Sequence, residues 1–240
     1  MSNGTFGAKI AHEALVAGAD VLFFCAKHSK TPFSQKFDFY REEEEDASQW
    51  AASWEKQLNQ FARHWEFCEG HRPHYREYGF RNFDDYEIGL GELILQQKPD
   101  IIILAAAVSD YLVANTVKGK LRSALDHNIE LTRAPKVISR IKEWHPECFL
   151  VGFKLMVRAT EVELLTAARK SCDENDCDLV VANDLADIKA SSHTLRILRK
   201  GINGHRVYES DPDDPHYLAR MVVQEATIEC RTSSSVSQEV

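Results

Sequence analysis

Residues 100–107 read DIIILAAA, the most hydrophobic stretch of the chain. A continuous apolar run, rather than an alternating one, is the pattern of a parallel strand covered on both faces. It is therefore placed at the centre of a sheet. Similar runs lie on either side, VLFFCA at 21–26, CFLVGF at 148–153 and DLVVA at 178–182, with a further strand expected over Ile129–Thr132. Segments of helical period separate them. Ile10, Ala14 and Ala17 recur at helical spacing over Ala8–Ala17, and Gly18 stands where a left-handed C-cap belongs. Other helices are expected over 47–65, from Asp84 through Ile94, over Lys136–Glu143 and over Glu161–Cys172. Strands alternating with helices give an α/β fold, a parallel sheet with helices on both faces in a three-layer sandwich. Leu195–Leu198 and His205–Tyr208 flank the turn-rich Gly201-Ile202-Asn203-Gly204 and predict a C-terminal hairpin. A last helix is expected from Asp214 to Ile228, and the Ser/Gln-rich residues 231–240 form a disordered tail. Without repeats or a composition break, residues 1–230 read as a single domain, with residues 30–80 a helical elaboration on it.

The chain has 240 residues with 29 Lys and Arg against 37 Asp and Glu, a formal charge of −8. That balance opposes a broad grip on nucleic acid or an anionic membrane, so any phosphate site must be local. No apolar run is long enough to span a bilayer, and no leader pattern opens the sequence, which predicts a cytoplasmic protein. Six cysteines without a CxxC pair read as buried thiols, not a disulfide or zinc framework. The acidic run Glu42–Asp46 suits a helix N-terminus, and the stripe Trp50, Trp54, Leu58, Phe61, Trp65 predicts a core-facing helix. His71 and His74 flank Pro73 with no completing ligand nearby, so no metal site is assigned.

Ligands of open α/β sheets gather beyond the carboxyl ends of the strands. Ser2-Asn3-Gly4-Thr5-Phe6-Gly7, before the first helix, offers small residues that let a phosphate approach backbone N–H groups, although an ordinary turn has the same composition. Ala105, Ala106 and Ala107 leave room at a strand end, and Asp110 follows them; a helix N-cap is the alternative for this aspartate. Lys118 and Lys120 sit in a KGKLRS loop, and Lys154 directly follows an apolar strand, where a hydrated charge is tolerated and can meet anions. Phe153, Lys170 and Asn183 belong to the same neighbourhood of two strands and the helix between them. Lysines, a carboxylate and a glycine loop at strand ends describe a polyanion site, most simply a nucleoside triphosphate with Mg²⁺. GxxxxGK[ST], GxGxxG after a strand, GxSxG and HExxH are all missing, which moves kinase-like, dehydrogenase and standard hydrolase readings out of the front rank.

The strings SNGTFGAKIAHEALVAGADV, AKHSKTPFSQKF, ILAAAVSDYLV, KLRS, APKVI, FLVGFKL and DLVVANDL resemble the phosphopantothenate-cysteine ligase family, in its order and close to its spacing. The FKL and SDY forms are similar to the eukaryotic, monofunctional members. The resemblance implies a Rossmann-like fold, a homodimer, and a reaction that joins cysteine to 4'-phosphopantothenate through an acyl-nucleotidylate with release of pyrophosphate, using ATP or CTP. By the same resemblance Ser2, Gly4, Gly7, Phe153 and Asn183 hold the nucleotide, and Ala106, Ala107 and Asp110 lie against the acyl part. Lys120 then stabilises the pentavalent α-phosphorus, while Lys154 and Lys170 carry the remaining phosphate charge. Two departures stand out. The family's first strand and Gly-rich loop precede the position of Ser2, and its FKLET motif reads FKLMV here, with Met156 in place of a carboxylate. They support a competing reading as a catalytically inactive homologue that binds or pairs. A third reading is an NADP-dependent Rossmann-like oxidoreductase, since a strand ends at Ala26-Lys27-His28 without the acidic residue an NAD ribose requires.

Overall fold

The computed structural model describes residues 4–34, 47–115, 119, 127–189 and 193–236. The chain is mixed α/β and has two compact units: Met1–Arg81 with Asp187–Leu195 and Val207–Val240, and Asn82–Ala186 with Arg196–Arg206. No helix among the described residues is long and apolar enough to cross a membrane.

In the first unit, α1 (Thr5–Val16) ends as expected, with Gly18 at φ 84° and its N–H on the carbonyl of Leu15. Its buried face, Ala8, Ile10, Ala11 and Leu15, packs on β1 (Val21–Ala26) and on α7 (Tyr217–Val236), which buries Leu218, Ala219, Val222 and Ala226. β1 pairs in parallel with β2 (Tyr75–Phe80), Val21 opposite Tyr75 and Ala26 opposite Phe80. β2 is a strand the sequence reading placed within a helical elaboration. Its YREYGF mixes half-buried and exposed positions and carries no apolar run to announce it.

Between the two strands runs α2 (Ala47–His71). The later part of its predicted stripe is not core: Trp54 is half-buried, but Leu58, Phe61 and Trp65 are exposed, and Phe67 instead packs against the rings of Phe33, His12 and His71. Periodicity shows that a helix is two-sided, and it does not show which side finds a partner. The helix also continues to His71 before Pro73 enters a short 3₁₀ turn. α7 likewise runs to Val236, beyond the point where the tail was expected to lose structure. A formed helix gains one hydrogen bond for each residue added, so polar residues extend it at small cost.

The second unit holds α3 (Phe83–Gln97), β3 (Ile101–Ile103), α4 (Ile141–Trp144), β6 (Phe149–Met156), α5 (Glu161–Glu174) and β7 (Leu179–Asp184), with β4 (Tyr111–Val113) and β5 (Leu131–Arg133) between β3 and α4. β3, β6 and β7 are parallel, and β8 (Thr194–Arg199) pairs antiparallel to β7 through Arg196–Arg199. β9 (Arg206–Glu209) follows β8 in the sheet order, so the predicted hairpin is present. Leu150, Val151, Val180 and Val181 are fully buried, as strands covered on both faces require.

Three expectations change here. β3 is three residues long and stands at the end of the order β3-β6-β7-β8-β9, not at its centre. An apolar run reports cover on the two faces of a strand, whereas edge or centre depends on hydrogen-bonded neighbours in the plane. The strand predicted at 129–132 is β5, exposed throughout and paired antiparallel with β4 apart from the parallel sheet. The helix expected over Lys136–Glu143 is a 3₁₀ turn at Val137–Arg140 followed by the single turn of α4. Local packing is tight where glycine was chosen. A Cβ on Gly152 would stand 3.0 Å from Cys177 Sγ and 3.2 Å from Ile138 Cδ1.

Candidate functional site at the carboxyl ends of the strands

Because β3, β6 and β7 are parallel, the segments after them emerge at one end of the second unit's sheet. The ladder between β3 and β6 continues to Leu104, whose N–H donates to the Val151 carbonyl at 3.0 Å, and then opens. Ala106, Ala107 and Asp110 follow in that opened segment, and all three are exposed. Asp110 is not an N-cap: extended chain follows it, and its carbonyl accepts from the Ala134 N–H at 2.9 Å, which ties the start of β4 to β5. Ser109 holds the same turn, its hydroxyl donating to the Tyr111 carbonyl at 2.7 Å.

Phe153 and Lys154 lie near the end of β6, and Asn183 near the end of β7. The register pairs Phe153 with Val181, Lys154 with Ala182 and Leu155 with Asn183. Side chains alternate along a strand, so Phe153 and Asn183 share one face while Lys154 lies on the other. The sequence reading grouped the three without this distinction. Lys170 is not brought to this end. It stands nine residues after Glu161 in α5, roughly 14 Å along a helix that returns toward the amino end of β7. There it pairs with Glu174 at 3.7 Å, with 73% of its side chain exposed.

Asp184 is the residue that sequence reasoning missed. Its carboxylate accepts from the backbone N–H groups of Arg158 (3.0 Å) and Ala159 (2.8 Å), beyond β6, and of Ala186 (2.7 Å), beyond β7. The N–H groups of Ala159 and Ala186 hold its pKa below the usual carboxylate range. One buried side chain thus fixes the exits of both strands that carry Phe153, Lys154 and Asn183. The only sequence signal was an aspartate two residues beyond the apolar run DLVVA. α5 then begins with a reciprocal cap, Thr160 and Glu163 each satisfying the other's backbone N–H.

In the first unit, Gly4 is the N-cap of α1 at φ 77°, with no side chain capping the helix. A Cβ there would lie 3.0 Å from Ser29 Cβ, so the turn after β1 and the start of α1 meet through a residue that must be glycine. Gly7 lies within the first turn of α1. Ser2 and Lys120, the latter assigned a direct role by resemblance, lie outside the described residues. The six cysteines are free thiols, but only half of them are buried as the sequence predicts: Cys148, Cys172 and Cys177 are buried, whereas Cys25, Cys68 and Cys230 are half-buried, and burial pushes the Cys177 thiol up to about 12.

Residues 92–225, more than half of the chain, match the DNA/pantothenate metabolism flavoprotein C-terminal domain. The chain belongs to this family. The family segment contains β3, β6, α5 and β7, and with them every described candidate residue of the second unit. An 89-residue stretch is 47% identical to the coenzyme A biosynthesis bifunctional protein CoaBC of Thermococcus kodakarensis. That match covers 37% of this chain and 22% of the relative, so it spans about a fifth of the curated protein's length. In fold, the chain is similar to the DNA/pantothenate metabolism flavoprotein of Streptococcus pneumoniae, with a TM-score of 0.68 and 24% identity over 95% of this chain and 89% of that one. It is also similar to a mutant of Cab2 in complex with phosphopantothenate-cysteine, with a TM-score of 0.76 and 21% identity over 99% of this chain and 81% of that one.

Proposed function

We propose that this chain is a nucleotide-dependent ligase of coenzyme A biosynthesis that joins cysteine to 4'-phosphopantothenate. The observation that carries the reading is the gathering of the Ala106–Asp110 segment, Phe153, Lys154 and Asn183 at one end of a parallel sheet, inside the segment that matches the family. The chemistry asks for little more than position and charge. A carboxylate is a poor electrophile; its attack on the α-phosphorus of ATP or CTP expels pyrophosphate and forms an acyl-nucleotidylate, which the cysteine amine then opens with loss of the nucleoside monophosphate. Holding two anions in contact and neutralising charge at phosphorus are the tasks left to the protein.

In this reading Phe153 and Asn183, on one face, hold the nucleoside, Lys154 reaches phosphate from the other face, and Ala106, Ala107 and Asp110 receive the acyl chain. The family resemblance further assigns Ser2, Gly4 and Gly7 to phosphate, through backbone N–H groups, and Lys120 to charge at the α-phosphorus. Mg²⁺ accompanies the triphosphate, and the protein works as a homodimer in the cytoplasm. The test is pyrophosphate release with phosphopantothenate, cysteine and each nucleoside triphosphate in turn. Turnover that requires both acid and cysteine supports the ligase, and Lys120→Ala then abolishes it in a folded protein. No turnover with any nucleotide returns the chain to the inactive-homologue reading.

A further inference from the structure

The first unit contains a cavity of about 290 Å³ at the carboxyl tips of β1 and β2, lined among others by Lys27, His28, Ser29, Glu77, Phe80 and Arg81. None of these residues belongs to the candidate site of the second unit. The cavity is built by backbone pairing at the end of the ladder: the Lys27 N–H donates to the Phe80 carbonyl at 3.0 Å, which sets Lys27 beside the residue that precedes Arg81. The Ser29 N–H donates to the Ala26 carbonyl at 3.0 Å, closing a tight turn in which His28 takes a left-handed φ of 74°.

The electrostatics are those of an anion site. In a chain of net charge −8, the lining brings together two permanent cations, a histidine and a hydroxyl against a single carboxylate. That carboxylate, Glu77, already accepts the Tyr75 hydroxyl at 2.9 Å. Lys27 and Arg81 come from the tips of two different strands and are both exposed, so they face a ligand from two sides without a buried charge to stabilise. The guanidinium supplies a planar fork of donors and the ammonium a compact charge, a combination that suits a multiply charged phosphate.

We propose that this cavity binds a phosphate-bearing anion, with pyrophosphate, whose charge is spread over two phosphoryl groups, as the species that offers a group to each of the cations on the two strand tips. Where that pyrophosphate originates rests on the ligase reading, since it is the group that reaction releases; the binding itself does not.

The test is calorimetric titration of the full chain with inorganic pyrophosphate and, separately, orthophosphate, in the wild type, the double variant Lys27→Gln/Arg81→Gln, and Glu77→Gln. Pyrophosphate is expected to bind more tightly than orthophosphate, to lose at least tenfold in affinity in the double variant, and to gain severalfold in Glu77→Gln. A folding defect does not produce a gain, so the last variant separates binding from stability. Absence of pyrophosphate binding in the wild type, or equal affinity in wild type and double variant, overturns the proposal. A chain that binds pyrophosphate in this way but shows no ligase turnover overturns the ligase reading alone; one that turns over without binding pyrophosphate overturns this site alone.

Discussion

Glu13 and His216, 203 positions apart in the chain, meet at 2.9 Å between the Glu13 carboxylate and His216 Nδ1. His12 reaches the same oxygen at 3.1 Å, and Arg220 stands 3.7 Å from the other. Only 7% of Glu13 is exposed. Burial by itself raises the pKa of a carboxylate, but here the hydrogen bonds from His12 and His216 outweigh it and bring Glu13 from 4.5 down to about 2. The bracket joins α1 to the start of α7.

Glu13→Gln is therefore expected to destabilise the protein at pH 7 by about 2 kcal/mol, a buried-pair loss discounted for the partly exposed partners. A depressed carboxylate stabilises the fold above its unfolded value and loses that contribution as pH falls. The wild-type advantage over Glu13→Gln should be complete above about pH 5 and shrink between 4.5 and 2. Denaturant titrations of both proteins across this range check it; an advantage independent of pH would remove the bracket from the account.

Asp184→Asn keeps the shape and takes away the charge that three backbone N–H groups share. Its thermal midpoint should fall at pH 7. Since the Asp184 carboxyl is depressed from 3.8, the difference from wild type should narrow as pH drops below that value. Hydrogen exchange at Arg158, Ala159 and Ala186 should accelerate more than in the rest of the unit. Uniform acceleration would mean that Asp184 does not specifically hold the strand exits.

Gly152→Ala places a methyl 3.0 Å from Cys177 Sγ and 3.2 Å from Ile138 Cδ1. Overpacking of this kind costs about 1–3 kcal/mol. Ile138→Val in the same background should recover part of the loss, and a double-mutant cycle measures the coupling. Simple additivity would show that the two sites do not press on one another.

Lys154 and Lys170 separate a strand-tip cation from a helix-surface one. Lys170→Ala removes an exposed pair with Glu174 and should change stability by less than about 0.5 kcal/mol, with ligase turnover within twofold of wild type. Lys154→Ala, under the ligase reading, should raise the nucleotide KM by about tenfold, the scale of one charge-assisted hydrogen bond. Equal effects of the two substitutions on KM would contradict the placement of Lys170 away from the strand tips.

The parallel strands read at 21–26, 148–153 and 178–182, the glycine stop at Gly18 and the resemblance carried by AAAVSDY, GFKL and VVAN were all legible in the chain, although the second and third strands run on to Met156 and Asp184. Each is a local signal: an apolar run, a left-handed cap, a short motif. The same signals placed Asp110, Phe153, Lys154 and Asn183 near strand ends, because a residue's position along a strand is a property of its own segment.

What the amino-acid order determined by itself was which segments become strands or helices and which residues stand at their ends. Only the tertiary structure decided that β3 ends the order of its sheet, that β2 joins β1, that the Leu58–Trp65 stripe faces outward, and that Phe153 and Lys154 lie on opposite faces. It alone brought Glu13 to His216 and set Lys27 beside Phe80. The reason is physical. Periodicity and capping act through neighbours within a few residues, whereas strand order and the meeting of distant side chains depend on which buried surfaces and backbone hydrogen bonds are satisfied together in the folded chain.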